Sequence, residues 1–330
     1  MANYIGIQGQ NILIVSSDPA NPTEGQIWYN STSNLLKGYA LATVNAFASG
    51  GNMNTARFQL AGAGSSNNSA LAFGGNVSDV SQTATELYNG TSWTSNPTGL
   101  NTGRQNLGGA GTQTAALAFA GQNPPNAQTE SWDGSSWTSV NSMNTGRASV
   151  GGCGIQTSAL AFGGGGPAVS AATESWNGTS WTSVNSLNTA REKPTGAGVS
   201  NTAALAFGGI VYTPGFPGVA ATESWNGTSW TSVNSLNTAR GIFAGAGIQT
   251  LALAFGGAPA APAGATAATE LWNGTSWTSN PTGLATARKN LSGAGTQTSA
   301  LAFGGFTTAV TAATEEWIGD GAVTKTITTS

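Results

Sequence analysis

The 330-residue chain has no histidine, a single cysteine and very little charge: 10 basic and 13 acidic residues make up 7% of it, for a net charge of −3. Each shortage excludes something. Without imidazole there is no side chain that ordinarily titrates near neutral pH, and no His-ligated zinc or copper centre. Cys153 alone cannot close an intrachain disulfide, so nothing speaks for an oxidising compartment. The sparse, slightly acidic charge offers no basic surface to nucleic acid. No segment approaches the roughly 20 apolar residues that span a bilayer, and the run from Ile12 to Val15 is too short for the apolar region of a signal peptide. The sequence therefore predicts no nucleic-acid partner, no membrane insertion and no secretory signal.

What is present argues against disorder. The chain carries 48 glycines, but its 11 Trp and 11 Phe recur at fixed intervals within a 39% hydrophobic composition, which can build a packed interior.

The recurrence is a repeat. Six arginines exist, Arg57, Arg104, Arg147, Arg191, Arg240 and Arg288, separated by 47, 43, 44, 49 and 48 residues. That period is the one expected of propeller blades and is too long for a leucine-rich or hexapeptide solenoid. After each Arg come a glycine-rich stretch, Ala-Leu-Ala-Phe with glycine nearby, then Ala-Thr-Glu, an aromatic residue, Asn-Gly-Thr-Ser and a second Trp. Glu86, Glu130, Glu174, Glu223, Glu270 and Glu315 mark the third landmark, and Trp93, Trp137, Trp181, Trp230 and Trp277 each lie seven residues beyond the Glu before them.

Each unit reads as four strands. Runs such as Ala203 to Phe207 alternate small and large residues, which suits a strand between two neighbouring sheets. Two further strands meet at Asn-Gly, a pair that accepts the positive φ of a tight hairpin. The stretch after each Arg, such as Ser292 to Gly295, suits an innermost strand where sheets converge and large side chains have no room.

The units resemble kelch repeats, in which a double glycine is followed by an aromatic residue and then a Trp. Gly74-Gly75, Gly163-Gly164, Gly208-Gly209, Gly256-Gly257 and Gly304-Gly305 carry the double glycine; Tyr88, Trp132, Trp176, Trp225, Trp272 and Trp317 carry the first aromatic. Ala120-Gly121 replaces the pair in the second unit, and Ala322 stands where the sixth unit should have its second Trp. The resemblance covers Arg57 to the end and implies an all-β, six-bladed kelch-like β-propeller over residues 41–330, preceded by an N-terminal hairpin arm over 1–40. Either Ala322 to Thr328 or Leu41 to Phe47, or both, can complete the last sheet; the C-terminal segment is the expected fourth strand. Kelch-type oxidases carry a copper-radical centre, which a chain without histidine cannot supply. The fold alone says little about function.

The repeated Arg and Glu account for 12 of 23 charged residues, so a contact made six times, a buried pair in each unit, is the expected role. The repeated Trp residues are expected in the core rather than on a sugar-binding surface. Asp133, and the Asn-Gly-Thr sequons at Asn89, Asn177, Asn226 and Asn273, read as turn residues. No cofactor and no catalysis are expected. For a carboxylate-only glycan-cleaving enzyme the candidates are Asp79, Glu192, Glu316 and Asp320, none with a visible partner.

Variation in length is concentrated in one place. From Arg to Phe the spacing is 15 or 16, and from Glu to the next Arg 17 or 18, while from Phe to Glu it is 13, 11, 12, 16, 15 and 12. A rigid frame with one variable loop per unit is the arrangement of a binding protein. Tyr212, Pro214, Phe216 and Pro217 form the most distinctive loop, and Asp79 and Phe306 lie in other loops of the same face.

Ahead of the repeat, a hairpin is predicted with Ile27, Trp28 and Tyr29 on one arm and Leu35 to Lys37 on the other. Gly25-Gln26-Ile27-Trp28-Tyr29-Asn30 with Asn34-Leu35-Leu36-Lys37 is similar to a module of phage virion and tail-associated proteins, especially of marine phages, which also carry tandem Glu-x-Trp-Asn-Gly-Thr-Ser-Trp units. The resemblance implies a virion protein made in the host cytoplasm, a capsid decoration or tail-fibre component. It would assemble in many copies with other virion proteins, with Ile27 to Tyr29 as its anchor and a host-surface protein or glycan as its outward partner. A lectin-like receptor-binding propeller is the alternative.

Overall fold

The computed structural model describes residues 12–20, 26–42, 45–122, 124–166, 168–211, 217–259, 264–319 and 321–326. These contain strands and turns and no helix. The chain divides into two compact units, residues 1–44 with 319–330, and residues 45–318.

The smaller unit is one sheet of Leu13–Val15, Ile27–Asn30, Leu35–Ala42 and Gly321–Thr326, in that spatial order. The predicted hairpin is present, with Ile27 opposite Gly38 and Asn30 opposite Leu35. Its turn forms because Asn30 Oδ1 accepts the backbone N–H groups of Thr32 and Ser33, an Asx turn.

The larger unit repeats one four-stranded antiparallel sheet, a propeller-like repeat fold. In the third repeat the strands are Gly151–Ile155, Ser158–Phe162, Thr173–Trp176 and Trp181–Val184, neighbours in space in the order of the chain. The first repeat adds a small hairpin, Asn76–Val77 with Val80–Ser81, inside its variable loop.

Packing between sheets follows from the alternation of the second strand. Leu71 and Phe73 of the first repeat enter a cluster with Ala116, Ala118, Trp132 and Trp137 of the second, so large side chains of one sheet fill the space over small ones of the next. Leu301 and Phe303 of the sixth meet Ala70, Ala72, Tyr88 and Trp93 of the first in the same way. Each such fully buried Leu or Phe contributes about 1.5–3 kcal/mol relative to exposure. The first strands of neighbouring sheets touch as well, and so do Ser292–Gly295 and Ala61–Ser66. That approach requires glycine: a Cβ on Gly196 would lie 2.5 Å from the Gly152 carbonyl oxygen.

Polar contacts stitch the junctions. The indole Nε1 of the second Trp donates to a threonine of the preceding sheet: Trp137 to Thr85, Trp181 to Thr129, Trp230 to Thr173, Trp277 to Thr222 and Trp93 to Thr314, at 2.9 to 3.1 Å. At the opposite ends of the sheets, the amides of Gln113, Gln156, Asn201, Gln249, Gln297 and Asn67 donate to the carbonyl of the preceding unit's first aromatic residue.

The sixth sheet departs from the expectation that the C-terminal segment supplies its fourth strand. That place is taken by Ala46–Ser49, with Phe47 opposite Trp317, the register that Trp277 holds opposite Trp272. Gly321–Thr326 instead pairs with Leu35–Ala42 over six positions, so the C-terminal residues belong to the smaller unit rather than to residues 41–330 as one body. Phe47 packs on Phe255 and Trp317, with ring centroids 5.3 and 5.0 Å away. Its ring has no N–H, which leaves Thr269 Oγ1, the equivalent of the five threonines above, buried without a partner. Phe47→Trp should supply the missing donor and stabilise the chain by about 1 kcal/mol, read as a melting temperature raised by roughly 2–4 °C. An unchanged or lower melting temperature would count against the equivalence.

Candidate functional site

All six predicted Arg and Glu pairs form, with N to O distances between 2.6 and 3.1 Å, and both partners are buried in every case. In the third repeat Arg147 donates to the carbonyls of Gly163 and Ala172 and to Glu174 Oε1, while Glu174 Oε2 accepts the N–H of Asn144. Burial lowers the pKa of all six guanidinium groups from the ordinary value, and the paired Glu opposes this in each. Arg57 is brought to about 10, so it stays charged at neutral pH. These residues clamp the segment that enters each sheet and present no face to a ligand.

The other repeated residues are structural too. Trp132, Trp176, Trp225, Trp272 and Trp317 are buried, as are the five second tryptophans. Asp133 and its equivalents Asn89, Asn177, Asn226 and Asn273 each accept two backbone N–H groups of the following turn.

A different set of residues converges. Two positions after each Arg the repeat breaks its own rule, with Gln59, Asn106, Ser149, Lys193, Ile242 and Asn290. All six take left-handed backbone, φ between 49° and 57°. That conformation costs a non-glycine residue roughly 1–2 kcal/mol, yet a chain with 48 glycines places none here. Backbone bonds link five pairs of these residues: Asn106 to Gln59, Ser149 to Asn106, Lys193 to Ser149, Asn290 to Ile242, and Gln59 to Asn290, at 2.7 to 2.9 Å.

These six residues rim a cavity of about 120 Å³, floored by Leu60, Leu107, Val150 and Leu291. Gln59, Asn106, Ser149 and Lys193 also line a neighbouring cavity of about 270 Å³, whose other walls include Gln122, Pro125, Gly165 and Gly166 from the variable loops. Lys193 Nζ donates to Asn290 Oδ1 at 3.1 Å. Burial pushes its ammonium down to about 8, with Glu192 acting in the opposite sense. At the other end of the first strands a cavity of about 220 Å³ is lined by Cys153, Ile155, Val199 and Ile248. Burial raises the Cys153 thiol to about 12, which keeps it protonated and unreactive.

Of the expected loop residues, the described ones do not line these cavities. Tyr212, Pro214 and Phe216 lie outside the described residues. The Pro217 carbonyl accepts from Val211, Asp79 is exposed at its hairpin tip with φ 65°, and Phe306 pairs with Lys289 and meets the Phe58 ring at 5.9 Å. In the hairpin Trp28 is fully buried and donates to Asp18, so of the expected anchor residues Ile27 is the exposed one. Among the described residues no three His, Cys, Asp or Glu side chains gather as a metal site.

Removing one partner of a buried pair leaves the other charge uncompensated, so Arg191→Ala should cost about 3–5 kcal/mol, read by chemical denaturation. Lys193 has the opposite sign of pH dependence from a stabilising base. Its folded value of about 8 lies below the ordinary 10.5, so the unfolded chain binds more protons in between and stability rises with pH across that window. The stability of the parent chain relative to Lys193→Met should therefore increase from pH 8 toward 10.5; a difference flat in pH would contradict it.

Compared with known proteins, the chain matches no family model, and no curated protein matches it in sequence.

Proposed function

We propose that residues 45–318 form a closed six-bladed kelch-like β-propeller, and that the chain is a non-catalytic structural or attachment protein of a phage virion. The closed ring is supported by junctions that run from the sixth unit back to the first: Trp93 to Thr314, Asn67 to Trp317, Gly305 to the Arg57 carbonyl, and Gln59 to Asn290. The Gly-to-Arg and amide-to-aromatic contacts recur at all five other junctions, and the Trp-to-Thr and rim-to-rim contacts at four of them each.

The observation that carries a binding role is the coincidence of two departures from the repeat on one face. The second glycine of each double-glycine corner donates to the carbonyl of the next Arg, as Gly164 does to Arg191, so the variable loop and the inter-sheet link lie together. Loop lengths vary there and nowhere else to the same degree. The non-repeated rim residues line cavities on that same face. A frame with six identical joints and one diversified face suits display to a partner. Placement on a virion rests on the likeness of the N-terminal module to those of phage proteins. The partners are then other virion proteins on one side and a host-surface protein or glycan on the other.

The N-terminal module forms a unit with the C-terminal strand, apart from residues 45–318. Its anchoring role is supported by the exposed Leu13, Ile14 and Ile27, apolar side chains that a partner would cover. Full-length chain should be incorporated into the particles of the phage that encodes it, whereas a chain of residues 45–318 should fold with its own cooperative melt and stay free in solution. Particles found by mass spectrometry to lack the protein, or a truncated chain incorporated as well as the parent, would overturn the proposal.

A further inference from the structure

The rim cavity has a chemistry that can be read from its donors. Lys193 is the only charged residue lining it. Asn290 Oδ1 takes one of the three ammonium hydrogens, leaving two to donate. Because that oxygen faces the ammonium, the Asn290 amide nitrogen is turned to donate elsewhere. Asn106 is committed to Gln122 Oε1 at 2.7 Å, while the Gln59 amide and the Ser149 hydroxyl make no hydrogen bond among the described residues. Among the described residues Glu192 is the other charged group nearby; it lines the neighbouring cavity, where its carboxylate occupies the space beside Gly165, and it favours the charged form of Lys193.

We infer that this cavity binds a single carboxylate group, received by the Lys193 ammonium and the side chains of Asn290, Gln59 and Ser149; the assignment rests on the reading of the loop-bearing face as the binding face. One cation with neutral donors around it and no acid on the cavity wall matches a monoanion, whereas a phosphate dianion would bring a second charge with nothing to meet it. A carboxylate comes attached to carbon, and the cavity has apolar as well as polar walls. The floor of Leu60, Leu107, Val150 and Leu291 offers an apolar seat to that carbon. The carboxylate can come from a free small acid or from an acidic side chain that a partner inserts, and the chemistry at Lys193 is the same.

The test is a titration of the full-length chain labelled at lysine Cε, followed by NMR. The chain has four lysines, 37, 193, 289 and 325, and the Lys193 signal is the one lost in Lys193→Met. That variant keeps the backbone, because the equivalent position already carries Ile242 in the same conformation. The probes are acetate, a blocked glycine-flanked Asp peptide, acetamide as the neutral counterpart, and chloride at matched ionic strength. Acetate or the peptide should raise the Lys193 midpoint by about one unit, a tenfold preference for the protonated form. Acetamide and chloride should leave it in place, Asn290→Ala should weaken the response, and Lys193→Met should abolish acetate uptake. A response to both acetate and peptide supports a free acid as ligand, and a response to the peptide alone supports an inserted side chain. A midpoint that neither carboxylate moves, one that acetamide or chloride moves equally, or acetate uptake that survives in Lys193→Met overturns the site. Those results leave particle incorporation untouched, and particles lacking the chain would leave the titration untouched.

Discussion

In each repeat a guanidinium is taken out of water and held through its terminal nitrogens by a carboxylate and backbone carbonyls, its Nε left without a hydrogen bond, and much of the architecture follows from how that is done. Arg147 reaches across the corner of its sheet to two carbonyls and a carboxylate, and the second oxygen of that carboxylate returns to the backbone at Asn144, three residues before the Arg. A buried charge left without such partners costs several kcal/mol, so the link cannot drift without losing the whole set. Clamping the link also presents the Arg carbonyl to the double glycine of the preceding unit, and so determines where the variable loop begins. The residue two positions on is then turned into the left-handed region and aimed at the centre, whatever its side chain.

Between sheets the interlock is steric. Large residues of one second strand lie over small residues of the next, and glycine keeps the first strands close enough for their backbones to touch. The pattern is uniform until the chain meets its own beginning. There the fourth strand comes from residues 46–49 and brings Phe47 where the other five sheets have Trp. One buried hydroxyl, that of Thr269, is left without its hydrogen bond as a result.

A repeat of this kind separates fixed positions from variable ones. The six joints are alike, so the frame tolerates change at positions that make no joint contact, and the rim and the loops are such positions. The same face therefore accommodates a half-buried lysine at a repeat position where the six units carry five residue types.

Much of this was legible in the residues. The spacing of Arg, Glu and Trp marked the repeat; alternation in Ala-Leu-Ala-Phe marked a strand packed on both faces; 12 charged residues at two repeated positions pointed to a buried joint; Asn-Gly marked the hairpins. Local pattern suffices there because the cause is local: a period of two, a positive φ, a contact made within one unit. Three things needed the folded chain. Residues 46–49 and 321–326 both read as short strands, and only the register of Phe47 against Trp317 decides which one completes the last sheet. Trp28 looked like an exposed anchor until its burial and its bond to Asp18 were seen. The rim of Gln59, Asn106, Ser149, Lys193, Ile242 and Asn290 was invisible because repeat reading attends to what recurs. Six residues of five types come to line one cavity only when sheets 43 to 49 residues apart in sequence bring them together.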